Sequence, residues 1–392
     1  MTDQEVTEAR PGKRRWPVIA SGIVAVALVG AGVTVANADV VPGRTGNARP
    51  SHATAGATTA TTTAAATTTA TTTATTAGVS DVVTAADAFT ATLSTTQQAS
   101  VLLDFTEANA TAWSNLPCGS SCRVGIQFST LSTAQLTAAE AVLAAATGTG
   151  TGTGFDQISQ ILAADDVLGE TASGYSSGNY FLAFLGTPST TGTWQLHFGG
   201  HHLAVNITYV DGEVAGASPY FVGVEPKSWT EDGTTYEPLA EQSDGVLAVL
   251  SSLSSTQLAS AKLSQTFSDV LLGPDEDGQF PSTKAGLAVS GLSDTQKALV
   301  LTAIEAWVEV ADDDTAASLL DTYSSELDET YIAYSGNTTL TAQGDYFRID
   351  GPSVWVEFVC QNGVVYSSQI HYHSVYRDHT RGVSRKRCNS IF

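Results

Sequence analysis

Apolar residues recur at helical spacing after four copies of the phrase Leu-Ser-x-x-Gln, which begin at Leu93, Leu131, Leu253 and Leu292. In this phrase the Ser side chain can accept a hydrogen bond from the amide three residues later, while the Gln side chain reaches back to the Ser amide. The leucine before the serine can pack against the first helical turn. Each copy therefore predicts the start of a helix.

Apolar stretches that predict strands also occur in matching pairs. Phe198–Val214 aligns with Ile349–Val365 at an offset of 151 residues, and each contains a turn dipeptide, Asp211-Gly212 or Asn362-Gly363. The helix-start phrases repeat at offsets of 160 and 161 residues. We therefore predict an α+β fold made by internal duplication, in which each half has several helices followed by an antiparallel β-hairpin or sheet. The two halves are expected to span residues 79–238 and 239–392 and to be related by a pseudo-twofold axis.

The N-terminal region has the pattern of an export sequence. Basic residues precede an uncharged, largely apolar run, Trp16–Ala38, which ends in the small-x-small form of a cleavage site. About 20 apolar residues also suffice to span a bilayer, so residues 1–38 are predicted to be a cleaved signal peptide or an uncleaved signal anchor. The Ala- and Thr-rich residues 39–78 are predicted to be a disordered linker. We expect an extracellular or cell-surface protein, membrane-anchored if the signal is not cleaved.

The charge distribution excludes one class of partner. The formal net charge is −22, and positions 50–380 alone hold 35 acidic and seven basic residues, a net charge of −28. An acidic surface of this kind repels phosphate, so we expect no nucleic-acid partner. Four of the few basic residues lie between Arg381 and Arg387, which gives the second half a basic C-terminal tail.

The four cysteines fit an oxidising compartment. Cys118 and Cys122 are close enough in sequence for a disulfide, and Cys360 and Cys388 are proposed to form a second one that pins the basic tail to a strand. Metal thiolates are the alternative, since the spacing of Cys118 and Cys122 also falls within the range of zinc ligands.

Six of the seven histidines fall in two short stretches. They are His197, His201, His202, His371, His373 and His379. Two histidines separated by one residue on a strand point to the same face, with Cα atoms about 6–7 Å apart, which suits two ligands of one ion. The adjacent His201 and His202 would point to opposite faces. Either one is a ligand and the other supports it, or Gly199-Gly200 bends the chain until both converge.

The two stretches belong to different halves, so they suggest a composite site between the halves. His201, His202, His371 and His373 are predicted to ligate a transition metal ion, Zn, Cu or Fe.

Three residues near the second pair of histidines are candidate catalytic groups: Glu357, Arg377 and Asp378. Glu357 lies in an otherwise apolar strand and needs a partner or a metal. It is either a ligand or general base, or it forms a salt bridge with Arg348 or Arg377. Asp378 either orients a ligating imidazole or pairs with Arg377.

The turn length at Asn362-Gly363 decides whether Glu357 shares a face with the histidines. A two-residue turn would place His371 opposite Val354, with Glu357 facing away. A three-residue loop with a bulge would place His371 opposite Ser353, with Glu357 on the histidine face.

Several stretches resemble one bacterial family. They are Trp113–Pro117 with Arg123 and Gly125, Gly200–Asn206, Pro219–Pro226, Arg348–Phe358 and His371–Asp378. Together they resemble the family called domain of unknown function 3500, over about Ser80 to Asp378. The chain departs from the family pattern after Asp378, where HTRGVSRKRCNSIF stands in place of a D-Y/F-G-like element. The resemblance implies no activity, because none is assigned to the family.

The histidine pattern favours an extracellular metal-dependent enzyme that acts on a small molecule. Zinc would imply hydrolysis, and copper or iron would imply redox chemistry. A non-catalytic cell-surface module that binds a metal ion or a partner is the alternative, and a scaffold with structural histidines is a third. The number of protein ligands distinguishes the enzyme from the non-catalytic module, since a catalytic site keeps one coordination position open and a structural site is closed by four ligands.

Overall fold

The computed structural model describes residues 78–381, and nine α-helices lie in this range. Five of them precede the first long strand: α1 (Val79–Ala91), α2 (Thr95–Val101), α3 (Glu107–Ala110), α4 (Thr133–Ala146) and α5 (Gly154–Thr171). The other four are α6 (Ala240–Ser252), α7 (Ser255–Ala261), α8 (Asp294–Val308) and α9 (Asp313–Ser325).

The four predicted helix starts are confirmed. The serines of the four phrases are the N-caps of α2, α4, α7 and α8, and each cap has both hydrogen bonds of the capping box. The capping glutamines also pair across helices, since Gln97 Nε2 donates to Gln135 Oε1 at 3.3 Å and Gln257 Nε2 donates to Gln296 Oε1 at 3.2 Å. The same local device therefore joins α2 to α4 and α7 to α8.

Twelve strands form one large mixed sheet, and two more form a separate hairpin. The first seven are β1 (Leu102–Leu103), β2 (Ile126–Gln127), β3 (Phe181–Leu185), β4 (Thr193–Gly200), β5 (Leu203–Val210), β6 (Glu213–Gly216) and β7 (Tyr220–Val224). The hairpin consists of β8 (Trp229–Glu231) and β9 (Thr234–Tyr236). The remaining five are β10 (Leu287–Ala288), β11 (Tyr331–Ser335), β12 (Tyr346–Asp350), β13 (Val354–Asn362) and β14 (Ile370–Asp378).

The strand order is alike on the two sides of the contact between β7 and β14. From one edge it is β1-β3-β4-β5-β7, and from the other it is β10-β11-β12-β13-β14. The short β2 pairs antiparallel with β3, as β10 does with β11. A parallel pairing also recurs, between β1 and β3 and between Lys262 and Tyr334. The antiparallel β7–β14 pair thus joins the strands of residues 79–238 to those of residues 239–392 in one sheet.

The two faces of the sheet have different covers. The helices other than the short α3 pack on one face, where alternate β14 residues such as Tyr372 and Tyr376 join the main apolar core. The other face is covered mainly by irregular chain, and we call residues 104–125 the first cover and residues 263–286 the second cover. Trp113 of the first cover packs against Phe221 and Val375. Because strand side chains alternate, His371 and His373 lie on the face of Val375, beneath these covers.

One predicted turn is confirmed and the other is wrong. Asp211-Gly212 forms a two-residue turn between β5 and β6, with positive φ at both residues as a type I′ turn requires. In the second half the loop spans residues 363–369, because Asn362 pairs with Ile370. His371 therefore lies opposite Gln361, and neither Val354 nor Ser353 is its partner. The wider loop is held from outside the hairpin.

The group that holds this loop is Glu225, which follows β7. Its carboxylate oxygen Oε1 accepts hydrogen bonds from the amides of Val365 at 2.8 Å and Tyr366 at 2.7 Å. These bonds satisfy two amides of the wide loop and hold it in place of the two-residue turn that the dipeptide Asn362-Gly363 predicts.

Cys118 and Cys122 form a disulfide, with Cα atoms 6.0 Å apart. Cys360 is buried in β13, and its proposed partner Cys388 lies outside the described residues, as do the predicted signal and most of the predicted linker. Within residues 78–381 there is no helix that is both long enough and apolar enough to cross a membrane.

Candidate metal centre

Three histidines from two distant parts of the chain meet on the covered face of the sheet. His202 occupies the turn between β4 and β5, and His371 and His373 lie on β14. Strand β7 separates these elements, and its Gly223 lies opposite His373. A Cβ atom at Gly223 would lie 3.0 Å from the Cδ2 atoms of both His202 and His373. The absence of a side chain at Gly223 therefore lets the two rings approach each other.

The three rings form a compact set. The ring centroid of His202 lies 5.5 Å from that of His371 and 5.2 Å from that of His373. The ring centroids of His371 and His373 are 4.9 Å apart. The Nε2 atoms of His371 and His373 are separated by 3.2 Å. All three side chains are buried, with exposures of 3%, 2% and 6%. Their ligand atoms lie within 4.8 Å of one another, so this group could hold a metal ion.

The backbone of His202 is in the left-handed region, with φ of 63°. This conformation is uncommon for a residue with a side chain and costs about 1–3 kcal/mol, so surrounding contacts must maintain it. The amide of His202 donates to the Asn115 carbonyl at 3.3 Å, and its carbonyl accepts from the Gly223 amide at 2.7 Å. Both backbone groups of this candidate ligand are thus fixed.

His201 has a different environment. Its ring centroid lies 3.7 Å from that of His202, with an angle of 30° between the planes. Its Nδ1 atom is 2.7 Å from Oδ1 of Asp165 on α5, and Tyr175 packs on the ring at 4.9 Å. Burial raises the pKa of Asp165, against the opposing effect of His201. Asp165, His201 and His202 form a second group that could hold a metal ion.

His373 is oriented by polar groups on its Nδ1 side. Asp269 Oδ1 of the second cover lies at 3.0 Å and the Gln361 amide nitrogen at 2.9 Å, with the Asn115 amide nitrogen at 3.5 Å. Burial raises the pKa of Asp269, but its hydrogen bond and charge interaction with His373 outweigh this and hold the pKa below its ordinary value. A carboxylate at Nδ1 favours the tautomer with hydrogen on Nδ1, which leaves the Nε2 lone pair free.

Two imidazoles of this cluster, those of His202 and His371, are neutral at neutral pH. Burial, followed by the neighbouring histidines, lowers the pKa of His202 well below its ordinary value. Burial, followed by the charge of His373, lowers the pKa of His371 to about 4. A neutral imidazole is the form that ligates metals, so the environment favours metal ligation over protonation.

Glu357 lies on the histidine face of β13, opposite Val375. Its two oxygens accept hydrogen bonds from the amides of Leu271 at 2.8 Å and Leu272 at 2.9 Å, and from the Tyr346 hydroxyl at 2.7 Å. Glu357 therefore holds the second cover against the sheet. Burial raises its pKa, although these hydrogen bonds oppose the shift.

Arg377 also binds the second cover. Its Nε donates to the Leu272 carbonyl at 2.8 Å and its Nη2 to the Gly273 carbonyl at 2.7 Å, and its Nη1 pairs with Asp277. Arg377 and Glu357 thus fix the segment that carries Asp269 to His373. Within residues 78–381, the side-chain hydrogen bonds of Glu357 and Arg377 go to the second cover and to Tyr346, and none goes to a histidine ring.

The structure does not bring Asp378 to the histidines. Asp378 lies at the opposite end of β14 from His371 and on the helix-covered face. Its Oδ2 accepts from the Tyr323 hydroxyl at 2.6 Å, and its Oδ1 accepts from the amides of Thr380 and Arg381. These contacts terminate the strand.

Sequence reasoning missed Asp165, Asp269 and Asn115. Asp165 carried a usable indication, because it and Asp166 directly follow the apolar run Ile161–Ala164 on a helix, and a carboxylate buried there needs a partner. The other two lie on irregular chain in the covers, where no periodicity identifies them.

His197 provides a test of histidine burial on this face. Burial lowers its pKa to about 4, and its Nε2 lies 3.2 Å from the Ala112 carbonyl oxygen. Between pH 6.5 and 4 the unfolded chain binds a proton at this residue and the folded chain does not. The free energy of unfolding should therefore fall as the pH is lowered, by about 1.4 kcal/mol per pH unit from this group.

Urea unfolding of the metal-free protein between pH 7 and 4.5 measures this contribution. The His197→Gln variant should lose less stability than wild type over the same interval, since only the other histidines remain to be protonated. Parallel pH dependences for the two proteins would show that His197 is not buried in its neutral form.

Comparison with known proteins gives a family without an assigned role. A family model described as "Protein of unknown function (DUF3500)" matches residues 75–382, which is most of the chain. No curated protein and no solved structure is similar enough to count as a match. The chain belongs to the DUF3500 family of proteins of unknown function.

Proposed function

We propose that this protein binds one transition metal ion, Zn, Cu or Fe, through His202, His371 and His373. The observation that carries the proposal is the spacing of the three ring centroids, 5.5, 5.2 and 4.9 Å. Three imidazoles on one tetrahedral ion, at metal–nitrogen distances of about 2.0–2.1 Å, have nitrogens about 3.3 Å apart and ring centres about 5 Å apart. The 3.2 Å between the Nε2 atoms of His371 and His373 supports the same arrangement.

His201 supports His202 in this proposal and does not bind the ion. The two ring centroids are 3.7 Å apart and the ring planes are inclined by 30°. Imidazole lone pairs lie in the ring plane, so rings packed face against face in this way do not direct two nitrogens to one ion. The same argument disfavours an ion between Asp165, His201 and His202. The contact between His201 and Asp165 instead fixes the His201 ring, which limits how far His202 can turn. Of the two alternatives for the adjacent His201 and His202, this proposal takes the first: His202 is a ligand and His201 supports it.

Asp269 has the corresponding supporting role for His373. A carboxylate that accepts from the outer nitrogen of a ligating imidazole fixes its tautomer and raises its basicity. The contact at 3.0 Å between Asp269 and His373 fits this role. Each half therefore supplies one carboxylate–histidine pair, Asp165 with His201 and Asp269 with His373.

The ligand number favours an enzyme. Three imidazole ligands are typical of catalytic zinc sites, which keep a further position for water or substrate. A bound zinc ion would supply activation of water for hydrolysis, and copper or iron would supply redox chemistry. We therefore propose a metal-dependent hydrolase or oxidoreductase, exported and acting on a small molecule outside the cytoplasm. The low exposure of all three ligands favours the second candidate, a non-catalytic cell-surface metal-binding module.

We also propose that residues 79–238 and 239–392 arose by internal duplication. Two glycines 161 residues apart support this origin. Gly125 and Gly286 have φ of 107° and 109°, and an added Cβ atom would lie 2.5 and 2.3 Å from a carbonyl oxygen of β3 and β11 respectively. The matched capping boxes and strand orders add to this support. At an offset of 151 residues, His371 and His373 correspond to Tyr220 and Val222, so the composite metal centre would have no pseudo-symmetric counterpart.

Metal analysis of adjacent variants tests the ligand assignment. After incubation with Zn²⁺ and dialysis, wild type should retain one ion per chain. His202→Ala should retain none, whereas His201→Ala should retain the ion with an affinity about 10- to 100-fold lower, as expected for a supporting residue. A wild-type protein without bound metal, or complete loss in His201→Ala together with retention in His202→Ala, contradicts the proposal.

A further inference from the structure

The candidate ligand His202 depends on the first cover for its conformation. Its amide bonds to the carbonyl of Asn115, and its backbone has a positive φ that the local sequence does not favour. The Asn115 side chain also approaches His373, with its amide nitrogen 3.5 Å from Nδ1. Asn115 thus contacts two of the three candidate ligands. Whatever fixes Asn115 also fixes the relative position of His202 and His373.

Arg123 is the group that fixes the segment around Asn115. Its Nη2 donates to the carbonyls of Ser114 at 2.7 Å and Leu116 at 2.5 Å, which flank Asn115 on both sides. The Arg123 residue is only 7% exposed. A planar guanidinium that spans two carbonyls in this way restricts the peptide units between them.

The same side chain is bound to the disulfide loop. Nη1 of Arg123 lies 3.4 Å from the Gly119 carbonyl oxygen and 3.5 Å from Cys118 Sγ. The disulfide between Cys118 and Cys122 closes this loop immediately before Arg123. Both cysteines are partly exposed, so a soluble thiol reagent can reach them. A continuous series of contacts therefore connects the disulfide to Arg123, Asn115 and His202.

We propose that Arg123 and the Cys118–Cys122 disulfide are positioning elements for His202, and that the oxidation state of this disulfide sets the affinity of the metal centre. This inference rests on the proposed three-histidine site. A dithiol reductant transfers two electrons and two protons to the bridge, which becomes two cysteine thiols as the reductant forms its own disulfide. The opened loop gains conformational freedom, so the hydrogen-bond partners of Arg123 Nη1 in this loop are no longer fixed.

The second half provides a matched control. Lys284 lies 161 residues after Arg123 and also donates to a backbone carbonyl, since its Nζ is 3.0 Å from the carbonyl oxygen and from Oδ1 of Asp350. Its contacts are with Asp350 at the end of β12, remote from β14 residues His371 and His373 in the strand register. The Lys284 side chain is 31% exposed, so loss of its contacts is the milder change, and it should not act on His202.

The test measures Co²⁺ binding by visible absorption and Zn²⁺ affinity by competition with a chelator. The proteins are oxidised wild type, wild type reduced with a dithiol and desalted, Cys118→Ser/Cys122→Ser, Arg123→Gln, Arg123→Lys and Lys284→Gln. Opening the disulfide or removing the guanidinium should lower the affinity about 10- to 100-fold and shift the Co²⁺ bands. Arg123→Lys should lie between wild type and Arg123→Gln, because a lysine keeps the charge but not the planar fork. Lys284→Gln should match wild type.

The outcomes separate this inference from the proposed function. Suppose that oxidised wild type binds metal, and that the reduced protein, the double serine variant and the Arg123 variants match it in affinity and absorption bands. The positioning role is then wrong, while the proposed metal site is supported. An equal loss in Lys284→Gln would also contradict the positioning role, since it would show a general effect of destabilisation. If oxidised wild type binds neither ion, the proposed function fails and this inference fails with it. The reduced and serine proteins keep the test decisive should Arg123→Gln not fold.

Discussion

Replacing His371 and His373 together with alanine is expected to abolish metal binding, from one ion per chain to none. The two residues would supply two of the three ligands, and their Nε2 atoms are already 3.2 Å apart in the folded chain. A single remaining imidazole, that of His202, cannot hold a transition metal ion through dialysis against a chelator. The effect should therefore be complete loss, which exceeds the effect expected of any supporting residue.

The matched control is His379→Ala. His379 follows the other end of β14, where its ring stacks on Phe280 with centroids 3.7 Å apart. The His379→Ala variant should bind one metal ion per chain, as wild type does. Retention of the ion in His371→Ala/His373→Ala, or equal loss in His379→Ala, would show that the ligands lie elsewhere.

Thermal unfolding gives a second measurement of the same prediction. A ligand that binds only the folded state, at a free concentration about 1,000-fold above its Kd, stabilises that state by about 4 kcal/mol. Excess Zn²⁺ should therefore raise the Tm of wild type and of His379→Ala. It should leave the Tm of His371→Ala/His373→Ala unchanged.

The largest expected effect on stability is that of Arg377→Met. Arg377 is 2% exposed and forms a buried ion pair with Asp277, which is 4% exposed. Removing one member of such a pair leaves an uncompensated charge in the interior and costs about 3–5 kcal/mol. The substitution also removes the donors to the Leu272 and Gly273 carbonyls. Urea unfolding should show the loss directly.

Two variants show whether the buried charge is the cause. Lys297→Met breaks the ion pair with Asp328, whose side chain is 72% exposed, and should cost at most about 1 kcal/mol. Adding Asp277→Asn to Arg377→Met removes the unpaired carboxylate and should recover part of the stability. A similar small cost for Arg377→Met and Lys297→Met would contradict the role assigned to Arg377.

The features that could be predicted from the sequence are those with local causes. The capping boxes at Ser94, Ser132, Ser254 and Ser293 depend on residues three apart, so the phrase Leu-Ser-x-x-Gln contains all the groups involved. The turn at Asp211-Gly212 is equally local. The alternation of His371 and His373 on one face follows from strand geometry alone.

The features that could not be predicted depend on contacts between distant residues. The loop of residues 363–369 is wide because Glu225, about 140 positions earlier, binds its amides. Asp269 meets His373 across 104 positions. Asn115 meets His202 because the first cover folds over the sheet. In each case the partner is an ordinary polar residue in irregular chain, and no sequence period distinguishes it from its neighbours.

The roles of Glu357 and Arg377 follow the same rule. A buried carboxylate and a buried guanidinium next to histidines suggested catalysis, because both groups need partners in an apolar strand. Their partners in the second cover are backbone groups near Leu272 and, for Arg377, the carboxylate of Asp277. The sequence showed that these charges must be satisfied, but the identity of the satisfying groups depended on where residues 263–286 lie.

Strand β14 pairs with both β7 and β13 and supplies two of the three proposed ligands, and it follows every other described strand of the sheet in chain order. Those strands must therefore be synthesised before these two histidines exist, and the sheet must close around β14 before they meet His202. Metal uptake would consequently be a late event in the life of the molecule. The ion that is acquired would depend on the surroundings in which the finished chain folds.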